Sequence, residues 1–215
     1  MTERPGGLDS PDETLRRGAR HLADSHPRLD ARLIERIVFE SHATLARGAR
    51  IRTHLPALAL KFAADRLRAL EVADAAGEGG PREGRPVRVL VESIRNDGIS
   101  QMAAAFLNAL GDGRVEALSA AINPADQVLR TVVDVMEEDG VPVAASYPKP
   151  VTDDIARAAD VIITMLIEHP FDLRDGQRIE AWDFDDPAGL GTDAVRRIRD
   201  RVRRRVAEFL AALPA

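Results

Sequence analysis

The chain has 215 residues, 45% of them hydrophobic but only 4% aromatic, with a net charge of −5. That length holds one ordinary domain, or a small one and a medium one, around a core of Ala, Leu, Val and Ile; no apolar run reaches the roughly 18 residues of a membrane-spanning helix. Cysteine is absent, which excludes disulfides, thiolate metal sites, thiol nucleophiles and thiol redox relays together.

The N-terminal stretch "MTERPGGLDSPDE" lacks the basic-then-apolar order of a secretion signal, so the expected location is cytoplasmic. Residues 11–70 then carry 12 Lys/Arg against 7 Asp/Glu, a balance of +5, and read as helix throughout. "SPDETLRRGARHLADSH" has Ser10 as N-cap, Pro11 at the first helical position, and Asp12 and Glu13 in the first turn. "DARLIERIVFESHATLARGA" places Leu33, Ile37 and Leu45 at helical spacing, and "HLPALALKFAADRLRALEVA" does the same with Leu55, Leu58, Phe62 and Leu67. These predict a three-helix bundle over residues 1–73. His21, His26, His42 and His54 lie in it without the spacing of a helical metal pair, and no metal or other cofactor is expected. "DAAGEGGPREGRP", residues 74–86, has the composition of a linker.

From residue 87 the period changes. "VRVLVE" (87–92) is almost continuously apolar, as strands buried on both faces are. "SQMAAAFLNAL" reads as helix, "RVEALSAAI" as strand, and "PADQVLRTVVDVMEEDG" as a helix closed by Gly140. A short helix capped by Thr152, the strands "DVIITML" and "QRIEAWDF", and a final helix from about Asp193 follow. That last helix aligns Val195, Ile198, Val202, Val206 and Phe209 on one stripe. Alternating strand and helix predicts an α/β domain over 87–215, a parallel sheet flanked by helices. Ligands of such sheets bind beyond the C-terminal strand ends, where "VLVESIRNDGIS" (89–100) stands. Residues 71–215 carry 17 basic against 26 acidic side chains, a balance of −9.

The words "SQMAAAFLNAL", "ALSAAINPADQV", "YPKPVTDD", "AADVIITM" and "WDFDDPAGLG" resemble the low-molecular-weight tyrosine phosphatase family, and within it the actinobacterial arsenate reductases. "RTHLPALALKFAADRLRAL" resembles the three-helix bundle that precedes some of those reductases. The resemblance implies the phosphatase-type sheet and dimerisation through the bundle. It also implies an oxyanion loop with a nucleophilic Cys, five residues, then Arg-Ser. On that frame Ser93 replaces the Cys and Ile99 replaces the Arg, while Asn96, Gly98 and Ser100 match positions that keep the loop's shape. The resolving thiols have no counterpart in "LIEHPFDL", and Asp186 matches the family's general acid. Losing a bidentate Arg removes two charge-assisted hydrogen bonds of roughly 1.5–3 kcal/mol each, about two to four decades of oxyanion affinity.

The leading expectation is therefore a dimeric pseudoenzyme, without arsenate reduction or phosphatase activity, that binds a non-phosphate small ligand or regulates. Ser93, Arg95, Asn96, Gly98, Ser100 and His169 are its candidate ligand-binding residues. The rival is a repurposed lyase, isomerase, cyclase or hydrolase with Glu92, Asp97 and Asp186 as acid/base groups. Trp182 is expected in the core. "RRIRDRVRRR" (196–205) reads as the solvated face of an amphipathic helix rather than a nucleic-acid patch, and no membrane partner is expected.

Overall fold

A computed structural model describes residues 10–48, 54–75 and 85–213, so the middle of the linker (76–84) lies outside the described residues. The chain divides into two compact units, Met1–Val72 and Ala73–Ala215.

The first unit contains α1 (Pro11–Ser25), α2 (Ala31–Gly48) and most of α3 (Leu55–Ala75). The start of α1 is a reciprocal cap. Glu13 N–H donates to Ser10 Oγ at 3.2 Å, and Ser10 N–H donates to Glu13 Oε2 at 3.0 Å, so two N–H groups with no helical partner are satisfied. Leu15, Ile34, Val38, Ala59, Ala63 and Leu67 recur at helical spacing and bury together as this unit's core. His26 Nδ1 lies 2.9 Å from Glu71 Oε2, tying the end of α1 to α3.

The second unit is a parallel four-stranded sheet in the order β2-β1-β3-β4, flanked by helices. Its elements are β1 (Val87–Ser93), α4 (Ile99–Leu110), β2 (Val115–Ala121), α5 (Arg130–Glu138), α6 (Asp153–Ala158), β3 (Val161–Met165), β4 (Arg178–Ala181) and α7 (Thr192–Ala212). Val89 and Val91 of β1 and Ile163 and Met165 of β3 share one core with Phe106, Val132 and the α7 stripe, including Val202 and Val206. Trp182 is buried in that core, edge-on to Phe209. Successive strand residues point to opposite faces. Ser93 therefore belongs to the face of Val89 and Val91, and Glu92 to the opposite one.

Three local departures from the sequence pattern shape the site. The helix expected from Pro124 begins only at Arg130, because the N–H groups of Ile122, Asn123, Ala125 and Leu129 are committed to carbonyls at the end of β1 and in the loop after it. The strand "DVIITML" stops at Met165, because Leu166 takes a left-handed backbone at φ 61°. Thr152 makes no cap bond to the α6 backbone; its hydroxyl donates to Asp154 Oδ1 instead.

The arginines of α7 are mostly paired. Arg196 meets Glu138 and Asp193, Arg199 meets Asp200, Arg201 meets Asp185, Arg203 meets Asp139 and Arg205 meets Glu180. That pairing weakens the phosphate-attracting field that a run of bare arginines would create. Among the described residues, no helix is long and apolar enough to cross a membrane.

Candidate functional site

β1 runs out at Ser93, residues 94–98 form a loop, and α4 opens at Ile99 with Gly98 at its N-cap. The loop is held by its own polar side chains. Ser93 Oγ and Ser100 Oγ are 2.7 Å apart, Asn96 N–H donates to Ser93 Oγ at 3.0 Å, and Asn96 Nδ2 donates to Ser100 Oγ at 3.0 Å. Asn96, at φ 54°, is the hub. Its Oδ1 accepts from Gln101 Nε2 at 3.1 Å and from Lys149 N–H at 3.2 Å, and its carbonyl accepts from Gln101 Nε2 at 3.0 Å. Asn adopts the left-handed region more readily than most residues, so one residue supplies both the turn and the bonds that lock it.

The loop's other carbonyls face outward. Those of Ser93, Ile94, Arg95 and Asp97 accept from the N–H groups of Ile122, Asn123, Ala125 and Leu129 at 3.3, 2.9, 2.9 and 2.9 Å. A trans peptide sets each N–H opposite the preceding carbonyl, so the following N–H groups turn toward the loop's interior. The cradle shape of an oxyanion loop thus persists.

Its chemistry has changed. The Ser93 hydroxyl is engaged by Ser100 and Asn96, and among the described residues no histidine or carboxylate hydrogen-bonds to it. An un-ionised hydroxyl without a base is a poor nucleophile. Ser93, Ile94, Arg95, Asp97, Gly98, Ile99, Met165, Leu166 and Asp186 line a cleft of about 60 Å³. Arg95 Nε donates to Asp97 Oδ2 at 2.8 Å. The Arg95 guanidinium is held charged chiefly by Asp97, with further attraction from Asp186 and Asp126. Asp186 Oδ1 accepts the Ala188 N–H at 3.0 Å. A Cβ added to Gly98 would stand 2.5 Å from Pro187 Cγ, and a proline ring cannot swing aside. Gly98→Ala is therefore expected to cost about 1–3 kcal/mol, read as a lower urea midpoint at unchanged slope.

Glu92 and His169, expected beside the loop, are not on the cleft. Glu92 is fully buried, and His169 Nδ1 lies 2.9 Å from its Oε2 and 3.1 Å from its Oε1, with the imidazole side chain 4% exposed. The physical reason is the two-residue period of β1, which sends the carboxylate next to Ser93 through the opposite face of the sheet. Burial pushes the Glu92 carboxyl above the usual carboxylate range, and the facing His169 offsets part of that. The sequence-predicted residues thus separate into three groups: Ser93, Asn96 and Ser100 in the loop's network, Arg95, Asp97, Gly98 and Asp186 at the cleft, and Glu92 with His169 behind it.

Residues 88–215 match the family described as low molecular weight phosphotyrosine protein phosphatase. The chain belongs to that family. Residues 15–71 match its companion, the protein-tyrosine-phosphatase-like N-terminal domain. A Corynebacterium glutamicum thioredoxin-dependent arsenate reductase superposes on this family member with a TM-score of 0.81 at 34% identity, covering 93% of this chain and 96% of that one. An arsenate reductase homologue of Halobacterium salinarum is 34% identical over 127 residues, covering 54% of this chain and 85% of that protein. The Synechocystis glutaredoxin arsenate reductase is 27% identical, covering 59% of this chain and 98% of its own. This phosphatase-family chain, without a cysteine, has no thiol with which to run such chemistry. Among the described residues no three His, Asp or Glu side chains gather to hold a metal ion.

Sequence reading missed four participants. Gln101 was detectable as a long polar side chain beside Ser100 in the first turn of a buried, otherwise apolar helix. Ile94, Met165 and Leu166 gave no signal, because apolar residues at strand ends read simply as core.

Proposed function

We propose that this chain is a pseudoenzyme of the phosphatase and arsenate reductase family whose remodelled loop binds a ligand other than phosphate or arsenate. The observation that carries the reading is the charge of the cleft. One guanidinium, already bonded to Asp97, shares the cleft with Asp97 and Asp186 and feels the further charge of Asp126, where an oxyanion loop needs a free arginine. The inward N–H groups and the start of α4 supply roughly half a positive charge, against a net surplus of one carboxylate in the cleft lining and the further negative charge of Asp126 outside it. An oxyanion is repelled. Dimerisation through the N-terminal helices belongs to the same reading, and light scattering on the eluting protein tests it.

The expected outcome is no turnover of p-nitrophenyl phosphate and no thiol-dependent reduction of arsenate. Turnover of either that Ser93→Ala abolishes overturns the proposal.

One observation favours the rival acid/base enzyme: a carboxylate with a raised pKa facing an imidazole is the equipment of proton transfer. Against it, neither group lines the cleft, so the pair has no route to a substrate bound there. If Glu92→Gln abolished a measured turnover while the fold held, the enzyme reading would prevail.

A further inference from the structure

Ile94, Ile122 and Leu166 are 49%, 52% and 53% exposed. Each is the residue immediately after β1, β2 or β3. The register aligns Ser93 with Ala121 and with Met165, so these three apolar residues follow neighbouring strand ends at one level, and Ile94 and Leu166 line the cleft at the loop. Leu166 holds its place in a left-handed backbone, which costs a non-glycine residue about 1–2 kcal/mol. A side chain in that conformation and half in water is not there for the stability of the fold. Met165 and Ile99 continue the apolar lining inward.

Beside this lining stands a carboxylate with a spare oxygen. Asp186 uses Oδ1 to accept from Ala188, and Oδ2 takes no hydrogen bond from the described residues. Asp97 is occupied by Arg95. The cleft of about 60 Å³ has room for a small polar head group, a cavity of about 10–15 Å³ sufficing for one water.

Building on the reading above, the geometry points to an organic cation as the ligand: a primary ammonium on an apolar stem, the nitrogen donating to Asp186 and the stem lying over Ile94, Ile99 and Leu166. The ammonium answers the surplus of carboxylates, and the stem covers the exposed rim.

Calorimetric titration at fixed ionic strength with n-hexylammonium, ethylammonium, 1-hexanol, hexanoate and inorganic phosphate tests this. Hexylammonium is expected to bind saturably, and at least about ten-fold tighter than hexanol, the worth of one charge-assisted hydrogen bond. It is also expected to bind at least about ten-fold tighter than ethylammonium, which lacks four methylenes worth up to about four-fold each when buried. Hexanoate is expected to be silent. Asp186→Asn keeps the acceptor for Ala188, so the turn survives, yet it is expected to weaken hexylammonium about ten-fold. Hexanol equal to hexylammonium, ethylammonium equal to hexylammonium, an unaffected Asp186→Asn variant, or no amine binding with phosphate also silent overturns the cation assignment alone. Saturable phosphate or hexanoate binding overturns the cation assignment, and phosphate binding overturns the proposed function with it.

Discussion

His169→Ala is expected to lower stability by about 3 kcal/mol at neutral pH, whereas Glu92→Gln at the other end of the same contact is expected to be neutral or stabilising. The asymmetry follows from burial. Glu92 is completely enclosed, and both of its oxygens face His169 Nδ1 at 2.9 and 3.1 Å. Deleting the imidazole leaves a carboxylate with neither water nor a partner, which must then keep its proton or carry the full desolvation cost. Glutamine instead retains an oxygen that accepts from His169 Nδ1–H and brings no charge to bury. The sign with pH is determined by the direction of the shift. The folded chain holds the Glu92 proton above the usual carboxylate value because burial outweighs the imidazole. The folded state therefore binds that proton more tightly than the unfolded state. Its contribution to stability is fully present below the unfolded pKa and is lost as pH rises through the raised folded value. Glu92→Gln abolishes that dependence, so the variant's advantage over the parent grows as pH climbs from about 4.3 and then levels off. Urea unfolding at a series of pH values reads both effects. Equal losses from the two substitutions at pH 7 would show an ordinary ion pair instead.

Asn96→Ala is expected to cost about 3–5 kcal/mol. The substitution removes the acceptor of Lys149 N–H and of Gln101 Nε2 and the donor to Ser100 Oγ. Orphaned buried polar groups cost about 1–3 kcal/mol each, and Gln101 keeps two carbonyl acceptors, of Asn96 and Tyr147, which moderates the sum. Alanine at φ 54° adds about 1–2 kcal/mol of left-handed strain. Asn96→Gly suffers the same lost bonds without that strain, so it is expected to melt above Asn96→Ala. If the two glycine and alanine variants were indistinguishable, the left-handed turn would not be what Asn96 supplies. Chemical denaturation of both variants separates the two contributions.

The architecture was legible because it rests on local periodicity. A short, β-branched, almost continuously apolar run with an abrupt polar end, set among helical patterns, reads as a buried parallel strand, and β1 spans 87–93. The stripe Val195, Ile198, Val202, Val206 and Phe209 is buried throughout. Ser10, Pro11 and Glu13 start α1 by a cap contained within four residues. Boundaries failed where a distant segment made the decision. "PADQV" has helical composition, but the N–H of Ala125 within it, and those of Ile122, Asn123 and Leu129 around it, serve the carbonyls of a loop some thirty residues earlier, and no window of sequence contains both partners.

By itself, the amino-acid order determined what chemistry is missing: with no cysteine in the chain, no folding can restore a thiol nucleophile or a thiol relay. It determined the parallel sheet as well, since periodicity and strand length are properties of contiguous residues. Only the tertiary structure decided what the new polar residues do. Glu92 and Asp97 look alike as two acids flanking one loop, yet a pleat sends Glu92 through the sheet to His169 and leaves Asp97 at the cleft with Arg95. Likewise Ile94, Ile122 and Leu166 read as three unrelated core residues until strand register aligns their positions at one rim. Which carboxylate meets a ligand depends on the face it occupies, and a face exists only once the strands have paired.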